Sequence, residues 1–186
     1  AIERGTEEVT MRSDNSSAPT HGMSRDGLSA IGRAVGIGAV KYADLSNDLV
    51  RDYIFDMDRM IAFEGDTGPY LQYAHARICS MLEKATPDQR APESFVLATA
   101  EERRLALALL RYPGVIEDVA RSLEPHRLCG YLHELAETFS GFYQACPVLR
   151  APDERTIRSR VRLCDLVRRI LADGLSLLGI AAPERM

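Results

Sequence analysis

The chain has 186 residues, 46% of them hydrophobic, which suffices for a sizeable core and excludes wholesale disorder. Aromatics are only 6% and Trp is absent, so the core leans on Leu, Ala, Val and Ile, a palette that suits helices. Twenty-seven acids against 23 bases leave a net charge of -4, which excludes the overall basic character of a general nucleic-acid binder.

Residues 1–26 are polar, with a Ser/Asn/Pro/Thr/Gly cluster from Ser13 to Gly22, and predict a mobile arm or a docked loop. From Leu28 to Asp44 the chain is small and apolar. Gly32, Gly36 and Gly38 there predict tight backbone packing or a bend rather than a regular helix. Ser46 or Asn47 can cap a helix running through Asp52, Phe55 and Met60, which Gly65–Pro69 breaks. Pro69 suits the first turn of the next helix, carrying Tyr70, Tyr73, Ala74, Arg77, Ile78 and Met81. Residues 86–93 form a linker, and Thr99 with Glu102 is a capping box ahead of a Leu/Ala run to Leu110. Tyr112-Pro113-Gly114 ends that run, and a shorter helix follows from Val115 to Leu123.

Pro125 opens a long helix with apolar Leu128, Leu132, Leu135, Phe139, Phe142 and Cys146, closed by Pro147 and Pro152. The last helix spans about Asp153 to Leu178, with Ile157, Val161, Cys164, Val167, Leu171, Leu175 and Leu178 at steps of three or four. No repeat and no convincing strand is legible, and an all-α bundle of four or five main helices follows.

The four cysteines, at 79, 129, 146 and 164, form no CxxC pair and read as small core residues of a reducing compartment. No run approaches the ~20 apolar residues of a membrane helix, and no secretion signal is visible, so a cytoplasmic setting without membrane is expected. A zinc set of His126, His133, Cys129 and Cys146 lacks the usual paired spacing, and no metal site is assigned. No catalytic acid–base or nucleophile pattern is legible either.

Two features bear on RNA. Arg155, Arg158, Arg162 and Arg169 cluster within roughly 60° of the last helix, nearly opposite its apolar stripe and flanked by Arg160 and Arg168. Such a ridge could neutralise phosphates, or be an ordinary solvated face with Glu154 and Asp165 nearby. Tyr70, Tyr73 and Tyr143 could stack on unpaired bases, or sit half-buried with their hydroxyls in water.

Two stretches carry a family resemblance. Ala34–Leu45, continuing through Asp52–Asp58 and Phe63–Arg77 (FEGDTGPYLQYAHAR), resembles the end of the catalytic region of arginyl-tRNA synthetases. Glu124–Ala136 (EPHRLCGYLHELA), Phe142–Leu149 (FYQACPVL) and the terminal Leu177–Met186 (LLGIAAPERM) resemble the helical, DALR-type anticodon-binding domain of that family. The match covers roughly residues 28–186 in the expected order.

The resemblance implies a helical bundle of the class I synthetase anticodon-binding type. It divides the chain into residues 1–26, a flexible arm or degenerate remnant of the signature-loop region; 27–64, the tail end of the catalytic region; and 65–186, the anticodon-binding domain. It implies that Tyr70, Ala74, Tyr143 and Met186 contact the anticodon loop of tRNA(Arg); the arginines read from the last helix, Arg155, Arg158, Arg162 and Arg169, would supply charge.

A full-length family member is an ATP- and Mg-dependent arginine–tRNA ligase. Here the HIGH-type sequence is absent, and Thr10–Ser13 and Met23–Arg25 are only faintly like the second signature loop and lack its lysines. The expectation is therefore a tRNA-binding module with no catalytic residue and no cofactor in this chain. Two alternatives are one portion of a longer ligase, and a truncated paralogue that docks on a catalytic half or another synthetase around Phe55, Met57, Met60 and Phe63.

Overall fold

A computed structural model describes residues 1–13, 23–50, 52, 54–91 and 94–186. The helices are α1 (Ile2–Ser13), α2 (Arg25–Leu45), α3 (Met57–Met60), α4 (Gly68–Glu83), α5 (Ala100–Leu110), α6 (Tyr112–Ser122), α7 (His126–Ala145) and α8 (Glu154–Leu177), with a 3-10 turn at Asp88–Arg90. No strand occurs among the described residues, so the all-α expectation holds.

Local chemistry sets most of these boundaries. Thr67 caps α4 by accepting from the Tyr70 N–H, with Pro69 in the first turn, where its missing N–H costs nothing. The Thr99–Glu102 capping box opens α5, and Asp153 caps α8 by accepting from the Thr156 N–H. The apolar stripes expected for α7 and α8 are all buried, as are the four cysteines, none of them in a disulfide. Burial pushes the Cys79 and Cys129 thiols up to about 11 and about 12.

Three local expectations fail. The first is the polar arm, because Ile2–Ser13 is a helix packed on α2. The contact is backbone against backbone: a Cβ on Gly32 would lie 2.5 Å from Thr6 Cα, and one on Gly36 2.5 Å from the Ala1 carbonyl oxygen. Those glycines therefore do mediate close packing, but within a regular helix rather than at a bend. Of the Ser13–Gly22 cluster, residues 14–22 lie outside the described residues, as do Pro92 and Glu93 of the expected linker.

Second, of the helix expected through Asp52, Phe55 and Met60, only Met57–Met60 is helical among the described residues. Ser46 instead ends α2, Asn47 Nδ2 donates back to the Ala43 carbonyl, and Asp48 accepts from the Val50 N–H. Short polar side chains here satisfy the backbone locally and compete with helix. Third, Pro113 does not separate two helices by a loop but falls in the first turn of α6, which ends at Leu123 in the left-handed region (φ 57°).

α4 is the shared wall of two apolar clusters. Leu71, Ile78 and Leu82 face the larger one with α5, α7 and α8. Ala76 faces a smaller one made by Val9 of α1, Ile31, Val35 and Ala39 of α2, Met60, Ile61 and Met186. Chain-terminal residues lie along α4. Gln72 Nε2 donates to the Ala181 carbonyl (2.8 Å), and His75 Nδ1 donates to that of Pro183 (2.9 Å). Tyr42 pins α2 to α7, its hydroxyl 2.6 Å from Asp66 Oδ1 and 3.1 Å from the Cys129 carbonyl oxygen.

Candidate nucleic-acid interface

The first turn of α4 presents Tyr70, and the seven-residue step to Arg77 places the guanidinium two turns further on, about 10 Å along the axis. α7 supplies the partners. Tyr70 lies against His133, ring centroids 5.6 Å apart, and Arg77 lies over the Tyr143 ring at 4.6 Å. Both pairs step in the same chain direction, so the two helices run side by side as a strip carrying two ring-bearing pairs. Tyr143 is backed by Phe139, centroids 5.7 Å apart, which holds its ring from behind. Tyr70 and Tyr143 are both half-buried, the state in which one ring edge or face remains open to a ligand.

Beside Tyr143 a groove of about 480 Å³ opens between the end of α4 and the segment that follows α7. Its lining includes Arg77, Lys84 and Arg150, and none of its described lining residues is a carboxylate. Lys84 and Arg150 were not singled out from the sequence. The usable signal is the α4 stripe at 70, 74, 77 and 81, which continues the tyrosine motif with a cation.

The other expected residues fall elsewhere. Ala74 is 7% exposed and faces the larger core, and Met186 is 6% exposed inside the smaller one. As the protein stands, neither side chain is offered to a ligand. Tyr73 makes an edge-on contact with Phe63 beside the smaller cluster.

The arginine ridge divides. Arg162 and Arg169 line a second groove of about 590 Å³, together with Arg168, Arg90, Glu83, Asp165 and Glu184. Arg169 is paired with Asp165 (2.7 Å), as is Arg168 (2.8 Å), and the Arg162 guanidinium lies 4.8 Å from the centroid of the Phe95 ring. Arg155 is exposed and Arg158 half-buried, and neither is among the residues lining either groove. The Arg162–Arg169 part of the ridge is therefore a mixed-charge surface in a different groove from Tyr143.

Arg160, expected to flank the ridge, is buried. Its Nε donates to Glu102 Oε1 at 2.7 Å and its Nη1 to the Pro147 carbonyl at 2.9 Å. At ~100° per residue Arg160 falls not beside the ridge but on the apolar side of α8, between Val167 and Leu171, where α5 packs and brings a carboxylate 58 residues away in sequence. Despite its burial, Glu102 is held below the usual carboxylate range by the Thr99 N–H and by Arg160. Because Pro147 lines the Tyr143 groove, this pair also positions one of the groove's walls.

The surface expected around Phe55, Met57, Met60 and Phe63 also changes. Met60 is 7% exposed in the smaller core with Phe63 packed against it, while Leu49, Val50, Ile54 and Phe55 form the exposed apolar run. Among the described residues no group of three His, Cys, Asp or Glu side chains could hold a metal ion. No helix among them is long and apolar enough to cross a membrane.

All of the face built by α4 and α7 except Tyr70 falls within a known domain. The sequence pattern of the DALR anticodon binding domain matches residues 71–186, from the residue after Tyr70 to the last one. The chain belongs to this family. It is also similar to arginine–tRNA ligases. That of Frankia casuarinae is 56% identical, with 89% of this chain and 28% of the relative aligned. That of Erwinia tasmaniensis is 47% identical, with 100% of this chain and 31% of the relative aligned.

Solved structures agree. Thermus thermophilus arginyl-tRNA synthetase superposes with a TM-score of 0.86 at 35% identity, and the Plasmodium falciparum enzyme with 0.83 at 28%. Both cover 100% of this chain, which spans 31% of the Thermus chain and 32% of the Plasmodium chain. The resemblance in the PYLQYA, FYQAC and terminal blocks thus identified the family correctly. The chain spans roughly 30% of the length of the curated relatives it matches.

Proposed function

We propose that this DALR domain binds the anticodon arm of tRNA(Arg) and serves arginyl-tRNA aminoacylation by positioning tRNA, with no catalytic step of its own. The observation that carries the reading is the α4–α7 strip, where Tyr70 with His133 and Tyr143 with Arg77 stand side by side within the DALR-type fold. Half-buried rings anchored from behind suit unpaired bases, which stack on aromatic faces with a gain of about 1–3 kcal/mol each. Ala74, buried in the larger core, contributes by shaping the strip from below rather than by contact, Met186 is held in the smaller core, and the α8 arginines supply at most a peripheral field. ATP and Mg are requirements of a whole ligase, of which this chain would be one portion acting in the cytoplasm. That second reading is favoured by the 28–31% share of the relatives that the chain spans.

The test is a fluorescence-anisotropy titration of anticodon stem-loops at two salt concentrations. Preference for the arginine anticodon over unrelated ones supports the reading. Equal, weak affinity for every stem-loop overturns it.

A further inference from the structure

The Arg77–Tyr143 pair has a consequence for how the groove would hold RNA. With its guanidinium 4.6 Å from the ring centroid, Arg77 covers one face of Tyr143, and Phe139 lies against the same ring. A base cannot take the face that the guanidinium occupies, but the guanidinium is itself planar and stacks on π systems. Around it the groove carries Lys84 and Arg150 and, among its described lining residues, no acid. That sign pattern differs from the neighbouring groove, where Glu83, Asp165 and Glu184 offset the arginines. A volume of about 480 Å³ matches the small-ligand range and admits a single nucleotide.

The geometry points to Arg77 as a stacking platform: it takes one unpaired nucleotide of single-stranded RNA, base on the guanidinium plane backed by Tyr143, with the flanking phosphates on Lys84 and Arg150. This rests on the proposed anticodon-arm reading and adds to it a specific residue and a nucleotide pocket. Arg77 here acts through planarity, not only through charge. Lys84 and Arg150 act through charge alone.

The experiment separates the two. Binding of the arginine-anticodon stem-loop, the same stem-loop with abasic loop nucleotides, and a short unstructured RNA is measured for the wild type, Arg77→Lys and Lys84→Gln/Arg150→Gln. Arg77→Lys keeps the charge, so it is expected to weaken the intact loop about tenfold with an unchanged salt slope. It should also lose the wild type's preference for intact over abasic loops, a coupling that a merely structural role would not produce. Lys84→Gln/Arg150→Gln is expected to lower the salt slope by about 0.7 per phosphate contact while keeping the preference for intact loops.

Wild-type affinity retained in Arg77→Lys, or equal losses on intact and abasic loops, overturns the inference. If the wild type ignores anticodon identity but Arg77→Lys still loses the base-dependent term on unstructured RNA, the functional reading falls and the platform stands. If the wild type binds no RNA, both fall.

Discussion

Replacing Glu102 by Gln is the most informative single perturbation. The side chain is wholly buried, one oxygen accepting from Arg160 Nε at 2.7 Å and the other from the Thr99 N–H at 2.8 Å. Gln keeps the shape but has one acceptor, so either the helix cap or the arginine loses its partner, and the buried guanidinium loses its counter-charge. Removing one partner of a buried pair costs about 3–5 kcal/mol, since the remaining charge stays out of water. At about 2–4 °C per kcal/mol for a chain of this size, the midpoint of thermal unfolding should fall by about 6–20 °C. Circular dichroism melts check this, alongside Glu102→Leu/Arg160→Met, which removes both charges and should recover most of the loss.

The pH dependence has a definite sign. The folded-state pKa of Glu102 is depressed, so its contribution is in place above the ordinary carboxylate value and is lost as pH falls through the folded one. The gap between wild type and Glu102→Gln should therefore narrow in acid. A midpoint shift under about 3 °C at neutral pH, or a gap that widens on acidification, refutes the reasoning.

Tyr143→Ala should weaken the arginine-anticodon stem-loop by about 5- to 150-fold, whereas Tyr143→Phe, which keeps the ring, should stay near the wild type in the same titration. Gly32→Leu should drive α1 from α2, because the added atoms meet the Thr6 backbone; faster amide exchange over residues 2–13 with an intact α8 is the expected pattern. The thiols should resist an aromatic disulfide reagent at pH 8 in the native protein and all four react after denaturation, because burial disfavours each shifted thiolate. Rapid native labelling of Cys164 would contradict its burial.

Much of the helical framework was legible because its causes are local. The Thr99–Glu102 box, Pro69 in a first turn and the apolar steps of α7 and α8 each depend on residues a few positions apart, and each appears as read. The resemblance blocks were legible for another reason, since they preserve residue types in order over most of the chain. Residues 2–13 hid their helix because its packing face is built on Gly5 and Val9 rather than on an apolar stripe.

The sequence alone settled the helical class and the family, and its resemblance blocks pointed to Tyr70 and Tyr143 as candidates. Only the tertiary structure decided which cations stand beside them. On the helical wheel Arg160 falls in the apolar stripe of α8 and Arg162 about 200° away, but only the fold shows that α5 brings Glu102 to the first and leaves the second at the surface against Phe95. Likewise Arg77, Lys84 and Arg150 become one groove only when α4 lies alongside α7. Helix periodicity fixes where a side chain leaves its own axis; what it meets there is set by another element, distant in sequence.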